Sequence, residues 1–382
     1  MKNYQSHGIT TVPPILNKSY FPSLDGLRAV SIIIVLCSHL RGRYSHILPP
    51  VLWDYFFAGN IGVYVFFCIS GFLITSLLLK EKLASGNISL KNFYIRRFFR
   101  IIPVSILYLL LLFILNIILD LNISMIAFAA AFFYIINIVS NSQWFTAHYW
   151  SLSVEEQFYI FFPFLVKKGP DFAIRAIIII EVALLTTRIL YHYSLLPENI
   201  AFEIFRRVIT NLDGVLLGAL TAILVFKQII KFELFSRFNL LIKILCILAI
   251  PLFGSNFVGF APINSSIAAI LICTLILTCL VPTNDFIYRT LNWAPVKKIG
   301  VLSYSIYIFQ QFFLVPPIST LQIDKLKLPA GQIYDHFFVY FPYNIFCLIV
   351  IAYLSYNYFE KPFLKLKDRF SIKFVKGEST SN

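Results

Sequence analysis

Charge is what this chain lacks. Only 13% of its residues are Asp, Glu, Lys or Arg, while 59% are hydrophobic. An ordinary soluble domain carries about a quarter charged residues, so a large soluble domain is excluded. Acid is the scarcer sign: 18 Asp and Glu stand against 32 Lys and Arg, a net charge of +14. Most of the basic residues flank apolar runs. The excess therefore reads as a topology signal and an attraction to anionic lipids, and no nucleic-acid partner is expected. Cys37, Cys68, Cys246, Cys273, Cys279 and Cys347 form no CxxC pair and all lie in apolar stretches. They read as small buried hydrophobes, and no metal is expected. A P-loop, HExxH, GxSxG and GxGxxG are all missing, which removes the common phosphate-loop, zinc-hydrolase, nucleophile-elbow and dinucleotide signatures. No internal repeat or low-complexity tract appears. The first twenty residues lack the basic-then-apolar order of a cleavable signal peptide, so the first span is expected to insert as an uncleaved anchor.

What is abundant is long apolar runs, rich in 40 Phe and 21 Tyr. Eleven segments can be drawn, near 27–41, 57–79, 101–119, 124–140, 153–166, 172–193, 208–226, 239–253, 263–281, 300–316 and 337–359. The 80–100 loop holds Lys80, Lys82, Lys91, Arg96, Arg97 and Arg100 and should be cytoplasmic. Loop charges fit best if the Ala-rich segment 124–140 does not cross and is instead re-entrant or interfacial. The expectation is all-α: a polytopic integral membrane helical bundle of about ten transmembrane helices with both termini cytoplasmic. Arg41, Arg43, Arg206, Arg207, Lys325 and Lys327 then fall on the outer side, against the rule. Residues 1–20 and 367–382 read as cytoplasmic tails around a membrane domain at 21–366.

Ionisable residues inside apolar spans are the candidates for function. Arg28 and His39 are eleven residues apart, close to three helical turns, so they share a face about 16 Å apart along the axis. A long anionic ligand lying along the helix would suit the pair. The plainer alternative is a snorkelling Arg28 and a satisfied interior histidine. In His148–Tyr159, Ser153 and Glu156 have capping-box spacing. A second carboxylate, Glu155, shares a face with Ser151 and Tyr159 and would orient an imidazole or balance its charge. Arg96, Arg97 and Arg100 are either headgroup anchors or a phosphate site. Tyr304, Tyr307 and Gln311 make a polar stripe that either lines a cavity or bonds neighbouring helices. Asp213-Gly214 and Glu360-Lys361-Pro362 read as caps or ion pairs, and Gly62, Ser70 and Gly71 as helix packing.

At these residues the chain resembles the membrane acyltransferase-3 family, which includes O-acetyltransferases of bacterial surface polysaccharides. The matching elements run in family order. They are Leu24–Ala29 with the Arg28-to-His39 spacing, Phe66–Leu73, Arg97–Arg100, Trp150–Tyr159, Ser303–Tyr307 and Glu360–Phe363. Two positions depart from it: Tyr64 and Gln310 stand where the family often has Asp and His.

The resemblance implies a multi-pass O-acyltransferase of the bacterial inner membrane. No cofactor is bound permanently; acetyl-CoA or another acyl-CoA is the donor, held by Arg28, Arg97 and Arg100. His39 is the implied base or transient acyl acceptor, with Glu155 as its partner. Asp25, Trp150, Tyr304 and Tyr307 are the implied substrate contacts. The acceptor would be a hydroxyl of a surface polysaccharide or lipid-linked glycan precursor, and membrane lipids are the remaining partners. The soluble esterase-like domain of some relatives is not seen, so a stand-alone enzyme is expected. A transporter or flippase for a glycan or lipid-linked sugar is the rival reading, and an acyltransferase for a small metabolite another.

Overall fold

The computed structural model describes residues 9–18, 20–139, 143–196, 211–255, 261–315 and 340–370. Among them every regular element is helical. The chain begins with α1 (Pro22–Tyr44), the short α2 (Pro50–Phe56), α3 (Gly59–Ser85) and α4 (Leu90–Leu119). Then come the short α5 (Met125–Phe132) and α6 (Trp144–Ala147), followed by α7 (Tyr149–Lys168) and α8 (Pro170–His192). The second half holds α9 (Asp213–Phe226), α10 (Phe232–Arg237), α11 (Asn239–Gly254), α12 (Ala261–Leu280) and α13 (Phe286–Asn292). It ends with α14 (Ala294–Phe313), α15 (Tyr343–Leu354), a π-helical turn (Ser355–Glu360) and α16 (Lys361–Asp368).

Local sequence accounts for the ends of these helices. Pro22 opens α1 at a position where its missing N–H is not needed. Gly86, at φ 73°, ends α3 in the left-handed conformation that glycine adopts without strain. The Ser89 side chain then accepts the Asn92 N–H and starts α4 three residues later.

Helix α3 is the central post, packed against α1, α7, α9, α11 and α12. Its approach to α9 is a backbone-to-backbone contact. A Cβ on Gly71 would lie 1.9 Å from the Val215 carbonyl oxygen, and one on Gly218 2.2 Å from that of Cys68. Small residues at both sides are what allow it. On the outside the usual pattern is inverted. Ile117 and Ile118 on α4, Ile179 and Val182 on α8, Leu245 and Leu248 on α11 and Phe346 on α15 are all exposed. A belt of this kind needs lipid around it.

Among the described residues, four stretches are long and apolar enough to cross a membrane: Pro22–Gly42, Pro50–Ser85, Leu90–Leu119 and Ala261–Leu280. Two shorter apolar helices, Asp213–Phe226 and Asn239–Gly254, accompany them. The expected count of about ten crossings is not confirmed by length and composition. The difference has a physical source: α7, α8 and α14 have 20, 23 and 20 residues but carry polar residues toward the interior. In the expected re-entrant segment, α5 has eight residues and spans about 12 Å, too short to cross.

The expected N-terminal tail is partly packed instead. Ile9 and Leu16 are buried, and Lys80 Nζ donates to the Lys18 carbonyl at 3.1 Å. The C-terminal boundary also shifts, since α16 continues to Asp368 and the Phe370 carbonyl accepts from Arg96. Arg206, Arg207, Lys325 and Lys327 lie outside the described residues.

Candidate active site

A cavity of about 430 Å³ opens where the start of α1, the end of α3 and the start of α4 meet. Its lining holds five cations, Arg28, Lys80, Arg97, Arg100 and Lys367, against two carboxylates, Asp25 and Glu155. Apolar side chains including Phe66, Leu73 and Leu152 form the walls between. Hydroxyls lie deeper: Ser70, Ser151, Tyr159, Ser303, Tyr304 and Tyr307.

Several groups are held by neighbours. Asp25 accepts from Tyr20 at 2.7 Å and pairs with Arg28 at 3.5 Å. Glu155 accepts from Tyr159 at 3.0 Å, and the same phenol shares a short hydrogen bond with Ser70. Arg97 stacks over the rings of Tyr159 and Phe93, 5.3 and 5.8 Å from their centroids, a contact that suits guanidinium better than ammonium. Tyr304 donates to the Ile101 carbonyl at 2.7 Å. Lys367 is held below the usual lysine range, first by burial and then by repulsion from Arg100. A bound polyanion would relieve that repulsion.

Arg96 is not among the lining residues. It is tied to Glu81 at 2.7 Å and to the Phe370 carbonyl at 2.9 Å. Those two contacts fasten α3, α4 and the segment just after α16 together beside the cavity, so the Arg96–Arg100 cluster divides between structure and site.

Toward the middle of the molecule the cavity ends at α7 and α14. The hydroxyls of Ser151 and Tyr307 are 2.5 Å apart, and both lie within reach of the His148 carbonyl oxygen, at 3.2 and 3.1 Å. The His148 imidazole is buried among the rings of Tyr108, Tyr149 and Tyr307. Neither of its nitrogens makes a hydrogen bond of good geometry among the described residues, and the Ile308 backbone lies beside the ring. It is electrostatically coupled to His39. The His39 ring packs edge-on to Trp144 at 5.3 Å, and the Trp144 indole N–H donates to the Gln311 carbonyl at 3.2 Å. Gln310 is fully buried, and its amide nitrogen and oxygen have no hydrogen-bond partner among the described residues.

The structure thus brings Arg28, Arg97, Arg100, Asp25, Glu155, Tyr304 and Tyr307 to one cavity, with His39 beyond its deep end. Glu155 interacts with Tyr159 and the arginines, whereas His39 interacts with Trp144 and His148. Trp150 faces a different cavity. The Tyr stripe of α14 both lines the cavity and bonds neighbouring helices. Asp213 pairs with Arg188 at 3.1 Å, and Glu360 accepts from Ser305 at 2.8 Å, the ion-pair and structural roles expected of them.

Three residues escape the sequence reading. His148 opens a motif already singled out, and its buried ring is visible only once the helices are packed. Lys80 and Lys367 look like ordinary interfacial lysines in sequence.

Imidazoles, hydroxyls and a basic cavity lie inside a helical bundle with an apolar outer belt, the architecture of a membrane protein. The chain belongs to the acyltransferase domain family: the family model matches residues 21–356. Among similar proteins is the peptidoglycan O-acetyltransferase OatA of Listeria monocytogenes serovar 1/2a. It is 26% identical over 96% of this chain and 59% of its own length. A putative O-acetyltransferase of Staphylococcus aureus strain COL is 30% identical over 91% of this chain and 58% of its own. The putative peptidoglycan O-acetyltransferase YrhL of Bacillus subtilis strain 168 is 24% identical over 90% of this chain and 55% of its own. The chain therefore spans somewhat under three fifths of the relatives it matches. No solved structure matches it.

Proposed function

We propose that the protein is an inner-membrane O-acyltransferase. It moves an acyl group, acetyl in the first instance, from cytoplasmic acyl-CoA to a hydroxyl of a surface polysaccharide or lipid-linked glycan precursor. The observation that carries this reading is the basic cavity that ends at Ser151 and Tyr307, both hydrogen-bonded to the backbone of His148. Its five cations suit the phosphates of CoA, and its apolar walls suit the pantetheine arm and acyl group. The names of the relatives point to peptidoglycan as the acceptor class. A family that transfers acyl groups also weighs against the transporter reading.

In this mechanism Arg28, Arg97, Arg100, Lys80 and Lys367 hold the donor. The acyl thioester reaches inward toward Ser151 and Tyr307. His39 accepts the proton of the acceptor hydroxyl, whose oxygen attacks the thioester carbonyl carbon. The carbon–sulfur bond breaks, CoA leaves as thiolate and takes up a proton, and the O-acyl ester remains on the sugar. General-base assistance of this kind contributes about 10²–10⁴-fold.

Glu155 acts in the donor cavity, where it limits the excess positive charge. Glu155→Gln is therefore expected to tighten acetyl-CoA binding about threefold, with the pH profile of kcat unchanged. Titrations of donor affinity alongside a pH–rate series check this. A displaced profile with unchanged affinity would return Glu155 to the role of orienting His39.

The overall reading is tested with purified full-length protein, acetyl-CoA and a peptidoglycan-type oligosaccharide. O-acetylated saccharide, released as acetate by mild base, is expected. Movement of saccharide across a vesicle membrane with no covalent product would establish transport instead.

A further inference from the structure

A second cavity, about 600 Å³, lies at the other end of the helices from the basic one. Its lining comes from first turns of α3 (Asn60, Tyr64) and α12 (Ser265), and from last turns of α8 (Thr187, Arg188, His192) and α11 (Phe253). The volume is that of an ordinary small-molecule site. Its contents differ in kind from those of the donor cavity. Arg188 is ion-paired with Asp213, and Glu181 lies in the same electrostatic group. The one lining cation is thus already matched by carboxylate, and the rest of the polar lining is amide, hydroxyl and imidazole.

The two cavities meet at one turn of α7. Trp150 lines the second and Ser151 the first. Phe67, on the wall of the first, packs edge-to-face against the Trp150 ring, with centroids 6.0 Å apart at 88°. Tyr64, one turn earlier on α3, faces the second cavity, and its hydroxyl lies beside Asp213 and Ser265. The packed Phe67 and Trp150 rings mark the place where the two cavities approach each other.

We infer that this second cavity is the acceptor site and that it takes an uncharged saccharide, with the Trp150 ring as its stacking surface. The inference rests on the acyltransferase reading. A sugar ring presents an apolar C–H face to an aromatic ring and hydroxyls to side chains around it, which is the mixture lining this cavity. An anionic saccharide finds no unbalanced cation here, since Arg188 already faces Asp213. Occupied in this way, the cavity brings an acceptor hydroxyl to the turn where the donor cavity ends.

The test is direct binding of a β-1,4-linked N-acetylglucosamine tetramer to the full-length protein by calorimetry, without donor. The wild type is expected to bind the tetramer, and to bind a uronic acid tetramer at least about tenfold more weakly. Trp150→Ala should weaken tetramer binding about tenfold or more, whereas Trp150→Phe should stay within about threefold. Acetyl-CoA affinity should be unchanged in both. If Trp150→Ala does not accumulate, Ser265→Cys coupled to a bulky hydrophilic thiol reagent serves instead, and should abolish tetramer binding while sparing acetyl-CoA. Absence of tetramer binding to the wild type, equal binding by wild type and Trp150→Ala, or persistent binding after the Ser265→Cys block would overturn the assignment. Binding that responds as described while no acetyl transfer occurs would spare the cavity and refute the acyltransferase reading.

Discussion

His39→Ala is expected to lower kcat for acetyl transfer by about 10²–10⁴-fold while leaving the Kd for acetyl-CoA within about twofold of wild type. The separation follows from the geometry. His39 contributes nothing to the lining of the basic cavity, so its loss removes no donor contact. Its ring packs on Trp144, and its electrostatic neighbour is His148. Truncation also leaves a small void beside Trp144, so thermal unfolding of the variant should be followed in parallel. A modest fall in Tm with full donor binding fits a residue used in chemistry. A variant that loses donor binding and stability together would mark His39 as structural. Steady-state kinetics with an independent donor-binding measurement separates the two.

Arg97→Ala and Arg100→Ala are each expected to weaken acetyl-CoA binding by about tenfold to a hundredfold, the range for losing a charge-assisted hydrogen bond to a phosphate. Both residues line the basic cavity. Arg97 is also stacked on Tyr159, so Arg97→Lys should recover only part of the loss. Acetyl-pantetheine, which lacks the nucleotide phosphates, supplies the control. Its binding should be weak and nearly equal in wild type and both variants. The arginine dependence should also shrink as salt rises, because part of the attraction is screened. If the variants bind acetyl-CoA as the wild type does, the five cations are anchors for lipid headgroups and the donor lies elsewhere.

Much of this site is legible in the sequence because a membrane makes charge expensive. Arg28 and His39 stand out on one apolar helix, and helical periodicity alone puts them on one face. Glu155 stands out for the same reason, as does its shared face with Ser151 and Tyr159. Periodicity names a face but not the neighbour across from it. The partners of Glu155 on α1 and α4, and the approach of His148 to His39, depend on how helices distant in sequence pack. Lys80 and Lys367 were hidden by a different effect. Lysines at helix ends are so common at membrane surfaces that nothing in their local sequence distinguishes one that turns into a cavity. The Arg188–Asp213 pair joins residues 25 apart on separate helices, beyond any local pattern.

The fold was legible as a class and less so as a count. Low charge and long apolar runs are enough to fix an all-helical membrane bundle. The number of crossings is not fixed by them. Helices such as α7 and α14 carry polar residues toward the interior, which lowers the apolarity by which spans are recognised. Others, such as α9 with 14 residues, are shorter than a straight crossing needs. The burial of Ile9 and Leu16 is not legible in sequence, because a few apolar residues among polar ones carry little signal until their pocket exists.

The most direct measurement is acetyl transfer from acetyl-CoA, radiolabelled in the acetyl group, to a peptidoglycan-type oligosaccharide, with purified wild type beside His39→Ala. The expected result is base-labile label on the saccharide with wild type and at least about a hundredfold less with the variant. Label that remains entirely in acetyl-CoA, or that passes to the saccharide equally well with both proteins, would contradict an acyltransferase whose chemistry centres on His39.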